Sequence, residues 1–244
     1  MEQSLEHLLQ VRPGVTALVG AGGKTTALLT LAEELARQEQ RVIVTTTTHM
    51  FPPDETRYGP VFAPENIADL RAALEDHRLA VSAGPVDERG KLTGVTDEEI
   101  DGFLALADYV LVEADGSRRL PCKTPGDREP ALPAATDLVV GVLGLKSIGK
   151  PLEEVCFRAQ LAAQRLGITP DQPVTPENLA RLAVAPWGLA KATQGRRFVI
   201  LLNQSDQCDE TVLRRVVAAI RGQSTVQVVS AALQKKKWKE ETTC

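Results

Sequence analysis

The run Gly20-Ala21-Gly22-Gly23-Lys24-Thr25-Thr26 gathers the residue types needed to hold a polyphosphate. Its glycines let backbone N–H groups turn toward an anion, Lys24 is long enough to reach β and γ phosphates, and the Thr25 hydroxyl suits Mg²⁺ at the start of a helix. The strand-forming stretch Val15 to Val19 leads in, and the helix-forming stretch Ala27 to Gln38 leads out. A purely structural strand-to-helix turn would have no use for Lys-Thr-Thr at this place. Lys24 is therefore read as a catalytic cation, Gly20, Ala21, Gly22, Gly23, Lys24, Thr25 and Thr26 as nucleotide-binding residues, and Thr25 as a metal ligand.

A second cluster follows the strand pattern Tyr109 to Val112, which delivers Glu113, Ala114, Asp115 and Gly116. A phosphate site needs a carboxylate to hold or orient hydrated Mg²⁺, and an acidic residue closing a buried parallel strand supplies one. Glu113 and Asp115 alternate with Ala114, so they share one side of an extended backbone. Asp115 is assigned to the metal with Thr25, and Glu113 to orienting water or an acceptor group. Thr45 to Thr48 end the strand pattern Arg41 to Thr46, the edge at which open parallel sheets bind ligands, and Thr46 and Thr47 join the candidate binding set. Their fitness for strands explains them equally well. His49 reads as a hydrogen-bonding surface residue. Cys122, beside Lys123, has the setting of a low-pKa thiol for a sulfur or selenium relay, against which stands the plainer reading of filler between prolines.

Farther on, Arg197 to Leu202 runs into Asn203-Gln204-Ser205-Asp206, and the last strand pattern, Thr225 to Val229, ends in Ser230-Ala231-Ala232. In GTP-binding proteins one strand closes on Asn-Lys-x-Asp, whose Asp accepts from the guanine ring, and the next on Ser-Ala, whose backbone caps the guanine oxygen. Asn203, Asp206 and Ser230 match in order. Gln204 stands where a lysine would pack along the base.

The elements positioning these groups alternate strand and helix, which predicts an α/β fold with a mostly parallel sheet. Glu65 to His77, Asp97 to Ala107 and Glu210 to Arg221 read as helices, and Leu79 to Ser82 and Asp137 to Gly144 as strands. Pro151 to Gly167 and Thr175 to Ala183 form a helical insertion, about residues 151–193, the second helix opened by Thr175-Pro176-Glu177. Residues 1–14 are a short amphipathic lead-in, Gly84 to Gly94 a polar loop with the makings of a hairpin, and Lys235 to Glu241 a solvated, frayed end. Arg118, Arg119 and Lys123 stand where anionic substrate groups would meet them, although a solvated charge cluster is the commoner explanation.

Composition narrows the partners. At 244 residues the chain could hold one large α/β domain or two small ones, with 43% hydrophobic content enough for a sizeable core, while 4% aromatics and a net charge of −4 argue against a nucleic-acid or anionic-membrane surface. Neither a signal segment nor a membrane span is evident, so the expected compartment is the cytoplasm. Cys122, Cys156, Cys208 and Cys244 are irregularly spaced, which predicts reduced thiols rather than a zinc site or disulfides.

The motifs V-G-A-G-G-K-T-T, V-T-T-T-T-H-M, V-E-A-D-G-S-R-R-L-P-C-K-T-P, E-P-A-L-P, G-L-K-S-I-G-K-P-L and L-L-N-Q-S-D together resemble the YqeC family of selenium cofactor biosynthesis proteins. The resemblance implies a three-layer, P-loop NTPase-like domain over residues 1–244, acting beside a selenium-dependent molybdenum hydroxylase or its cofactor. By position it carries over Gly20 to Thr26, Thr45 to Thr48, Glu113, Asp115, Lys123, Glu129, Asn203 and Asp206. The expected activity is Mg²⁺-dependent nucleoside triphosphate hydrolysis, GTP favoured over ATP. Two alternatives stay open. Gly20 and Gly23 enclose only Ala21 and Gly22, the short spacing of the G-T-N-G-K-T-T loop in Mur-ligase-type ATP enzymes, which favours an ATP-dependent kinase or ligase. A carrier holding the pyrophosphate of a molybdopterin dinucleotide would use the same loop without catalysis.

Overall fold

A computed structural model describes residues 3–191, 193 and 195–241; Cys244 lies outside them. In chain order the elements are α1 (Leu5–Leu8), β1 (Gly14–Gly20), α2 (Lys24–Arg37), β2 (Val42–Thr46), β3 (His49–Met50), α3 (Glu55–Tyr58), β4 (Val61–Phe62), α4 (Ile67–His77), β5 (Leu79–Ser82), β6 (Leu92–Thr93), α5 (Asp97–Leu104), β7 (Tyr109–Glu113), β8 (Cys122–Lys123), β9 (Thr136–Gly144), α6 (Leu152–Val155), β10 (Cys156–Phe157), α7 (Ala159–Leu166), α8 (Pro176–Val184), β11 (Arg197–Asn203), α9 (Glu210–Arg221), β12 (Gln227–Ala232) and β13 (Lys237–Glu240). They gather into two compact units. The first holds residues 1–18, 25–116 and 131–138, and the second residues 19–24, 117–130 and 139–244.

In the first unit the strands run in the order β1-β7-β2-β5-β4, all paired in parallel. Such a sheet needs apolar strands, and Val15, Ala17, Leu18, Val42, Ile43, Val44, Val110, Leu111 and Val112 are at most 1% exposed. Leu18, Glu113 and Thr46 lie level with one another across β1, β7 and β2. The lead-in is tied down: Glu34 on α2 accepts from the backbone N–H groups of Leu5 and Glu6 at the start of α1, and Leu5, Leu8 and Leu9 are buried. Helix α5 opens on a capping box, with Thr96 and Glu99 exchanging side-chain bonds to each other's backbone.

The second unit orders its strands β9-β11-β12-β13, with β11 and β12 parallel and β13 antiparallel to β12. Helix α9 buries Leu213, Val216, Val217 and Ile220, the spacing of one helical face. The α/β class and the mostly parallel pairing expected from the alternation of elements are both present.

Local boundaries differ where tertiary pairing decides them. The helix expected over Pro151 to Gly167 breaks into α6 and α7, because Cys156 and Phe157 pair in parallel with Cys122 and Lys123 and Arg158 takes a left-handed conformation with φ +64°. The end expected to fray instead forms β13, whose partner β12 supplies the hydrogen bonds that the segment's own composition does not suggest. Helix α2 begins at Lys24, earlier than its apolar periodicity, since the loop glycines stop just before it. The last parallel strand runs through Ser230 to Ala232 rather than closing at Val229. Residues 84–94 do fold back, through an isolated bridge between Val86 and Leu92 and the pairing of β6 with β3.

Candidate functional site

In the second unit, the loop after β1 is bare backbone held in a shape that excludes side chains. Gly22 and Gly23 have φ of +83° and +129°; an added Cβ would come within 2.5 Å of Gly144 N at the first and 2.3 Å of Asn203 Nδ2 at the second. Asn203, 5% exposed, fastens the loop. Its Nδ2 donates to the Gly22 carbonyl at 2.8 Å and its Oδ1 accepts from Leu233 N at 3.2 Å. Lys24 turns back on the same loop: its Nζ donates to the Gly20 carbonyl at 2.8 Å and to Ser117 Oγ at 3.4 Å. A glycine loop, the start of a helix without acidic residues in its first turn and an ammonium therefore meet at one place, the combination that phosphate binding uses.

Beyond the loop, Asp206 is engaged by Lys235 at 2.9 Å, and the Lys235 ammonium holds its carboxyl below the usual carboxylate range. The Ser230 hydroxyl donates to the Glu241 carboxylate. Gln204 takes a left-handed conformation, and its Oε1 is buried with no hydrogen-bond partner among the described residues.

In the first unit, the carboxylate of Glu113 at the end of β7 accepts from Thr25 Oγ1 at 2.6 Å. The Glu113 carbonyl accepts from Thr46 Oγ1 at 2.7 Å and from Thr47 N at 3.2 Å, so the strand end that carries the carboxylate is pinned. Thr47 Oγ1 donates to the Ala131 carbonyl. Thr46 and Thr47 thus brace strand ends through their hydroxyls. Asp115, just past β7, is fully buried. His49 is exposed, 3.7 Å from the Asp87 carboxylate.

Sequence reasoning gave no role to two partners. Ser117 becomes the lysine's second acceptor, although its place directly after Asp115-Gly116 was a usable signal. Arg158, inside what reads as a helix, reaches Glu129 with both guanidinium nitrogens at 2.6 and 2.8 Å, and Lys123 reaches the same carboxylate at 2.7 Å. Burial alone would raise the Glu129 pKa, yet hydrogen bonds from Arg158 and Lys123 bring it down to about 2. A cavity of about 780 Å³ in the first unit, lined by Tyr58, Phe62 and helices α2 and α4, contains none of the residues singled out by motif.

The residues present fit Mg²⁺. Thr25 and Glu113 offer hard oxygens, and among the described residues no group of three or more His, Cys, Asp or Glu gathers as a dedicated cage. Mg²⁺ is ordinarily held by one or two protein oxygens together with substrate phosphates.

Comparison with known proteins agrees with the motifs. The family described as YqeC protein matches residues 16–160. The uncharacterized protein YqeC of Escherichia coli K12 is 38% identical over 208 residues, covering 83% of this chain and 80% of its own length. The chain belongs to the YqeC family. Among solved structures, this YqeC-family chain has a TM-score of 0.40 and 16% identity with chloroplast FtsY from Physcomitrella patens, covering 89% of this chain but only 59% of that one. A GTPase in apo form from Pyrococcus abyssi gives a TM-score of 0.37 and 17% identity, covering 91% of this chain and 92% of that one. No helix among the described residues is long and apolar enough to cross a membrane.

Proposed function

We propose that this YqeC-family protein binds a nucleoside triphosphate with Mg²⁺ and hydrolyses it, GTP in preference to ATP, in the cytoplasm and in service of cofactor maturation for a selenium-dependent molybdenum hydroxylase. The observation that carries the reading is the pair of contacts made by neighbouring residues, Lys24 against its own loop and Thr25 against Glu113 at 2.6 Å. Backbone N–H groups of Gly20 to Gly23 would cradle the phosphates. Lys24 would exchange the Gly20 carbonyl and Ser117 for phosphate oxygens and neutralise developing charge.

Bound Mg²⁺ would supply charge neutralisation on the β and γ oxygens. Thr25 and Asp115 were the expected holders, and the Thr25–Glu113 hydrogen bond supports placing Glu113 beside them. Base choice would rest on Asp206, released from its exposed pairing with Lys235, next to an Asn203 that fixes the distance between base end and phosphate end. The short Gly20–Gly23 spacing supports a second reading, phosphoryl transfer to a small molecule, recognised by turnover that appears only with an acceptor.

The test is calorimetric titration of wild type and Lys24→Ala with GTP, ATP and their diphosphates, with and without Mg²⁺. Wild type is expected to bind GTP more tightly than ATP, and Lys24→Ala to lose about a hundredfold in triphosphate affinity, about 2.8 kcal/mol. Preference for ATP would discard the guanine assignment. Failure of wild type to bind any nucleotide would overturn the whole reading.

A further inference from the structure

The second unit carries more positive charge around one ring than its carboxylates answer. Three cations face Phe157: Arg158 at 4.4 Å from the ring centroid, Arg118 at 5.2 Å and Lys123 at 5.6 Å. Glu129 satisfies Lys123 and, bidentately, Arg158. Arg118 is different. It is exposed, and among the described residues its guanidinium has the Phe157 ring beside it but neither a carboxylate nor a hydrogen-bond acceptor. A guanidinium seated on an aromatic face loses little freedom when it engages a planar or tetrahedral oxyanion through its fork of N–H donors.

Its backbone is held in an uncommon way. Arg118 and Arg119 are consecutive left-handed residues, φ +50° and +61°, a conformation that costs a non-glycine residue of order 1–3 kcal/mol and persists where the surroundings impose it. The segment is tied on both sides: Ser117 accepts from Lys24, and the chain continues through Pro121, whose carbonyl accepts from Gly144 N, into β8. The turn therefore hangs from the loop lysine at one end and from the β8–β10 pair at the other, and Arg118 is aimed by both. Glu129 takes the hydrogen bonds of the two deeper cations and offsets one of their charges, which leaves Arg118 as the cation whose donors are open to a ligand.

We propose that Arg118 on its Phe157 seat binds the oxyanion group, phosphate or carboxylate, of a second small molecule held next to the nucleotide site. Its standing as a co-substrate site rests on the nucleotide reading above; the anion site itself does not, and the two are separable by experiment. Full-length wild type, Lys24→Ala, Arg118→Ala and Phe157→Leu are titrated calorimetrically with inorganic phosphate and with acetate, and separately with the nucleoside triphosphates. One of the two probes is expected to bind wild type and Lys24→Ala alike, at least tenfold more weakly to Arg118→Ala, and at least threefold more weakly to Phe157→Leu, which keeps apolar bulk but removes the ring. Triphosphate affinity of Arg118→Ala should stay within twofold of wild type. Probe affinity unaltered in Arg118→Ala overturns the proposal, as does probe binding that vanishes with Lys24→Ala, which would make the anion the nucleotide's own phosphate. Should wild type bind no nucleotide, the reading above falls, while the phosphate and acetate titrations still decide this one.

Discussion

Glu129 shows how one carboxylate arranges several cations. Its pKa of about 2, against an ordinary value of 4.5, means that the ionised form is favoured by folding. The stabilisation is therefore complete above about pH 4.5 and is lost as pH falls from there toward 2. Glu129→Gln leaves the fully buried Lys123 ammonium facing an amide, and removing one member of such a pair costs about 3 kcal/mol. Thermal unfolding of the two proteins should thus differ most near neutrality and converge as the pH is lowered through that window; a constant gap would show that the Glu129 charge is not what stabilises the cluster. At this scale the sequence was partly legible. Lys24, Thr25 and Glu113 stand out by type and spacing, and the structure sets Lys24 against its own loop and Thr25 against Glu113. Arg158 does not, because its partner is 29 residues away and nothing local marks a long-range ion pair.

Among the elements, segments whose own apolar pattern decides their state were read correctly, and those decided by long-range pairing, such as Pro151 to Gly167, were not. Helix α9 runs over Glu210 to Arg221 as its pattern requires, since one face carries enough apolar area to decide its state. Pairs of residues such as β8 and β10 have too little sequence to declare themselves, and exist because each finds the other. Helix α1 is an intermediate case: its amphipathic pattern is visible, but its anchor is Glu34, far along the chain. Glu34→Ala would strip the acceptor from Leu5 N and Glu6 N, leaving the buried Leu5 donor unsatisfied at a cost of about 1–3 kcal/mol. Hydrogen exchange should then report faster exchange at residues 5–9, with the protection of β7 nearly unchanged; equal protection in α1 would mean that leucine burial alone secures it.

For the whole molecule, ligand binding to the native state should raise its thermal stability by mass action. A triphosphate at a hundred times its dissociation constant contributes about 2.7 kcal/mol, which for a chain of this size moves Tm by roughly 5–10 °C. Scanning fluorimetry with Mg²⁺ and GTP should show that shift for wild type and only about 1–2 °C for Lys24→Ala at the same concentration, where hundredfold weaker binding leaves about 0.4 kcal/mol. Membership in the YqeC family and the α/β class could be read over almost the whole chain, whereas the places where the two units divide could not, because the cuts at residues 18, 24, 116, 130 and 138 follow contacts rather than composition. The outermost strand of the second unit, Lys237-Trp238-Lys239-Glu240, belongs to this scale as well. An open sheet border invites further chains to add on, and fibres grow in that way; a short border strand bearing lysines and a glutamate on its surface repels such addition. Beneath it, Gln227 to Ala232 is a nearly uncharged β-prone segment, so the charged terminal strand serves as a selvedge that keeps the protein from knitting itself to its own copies.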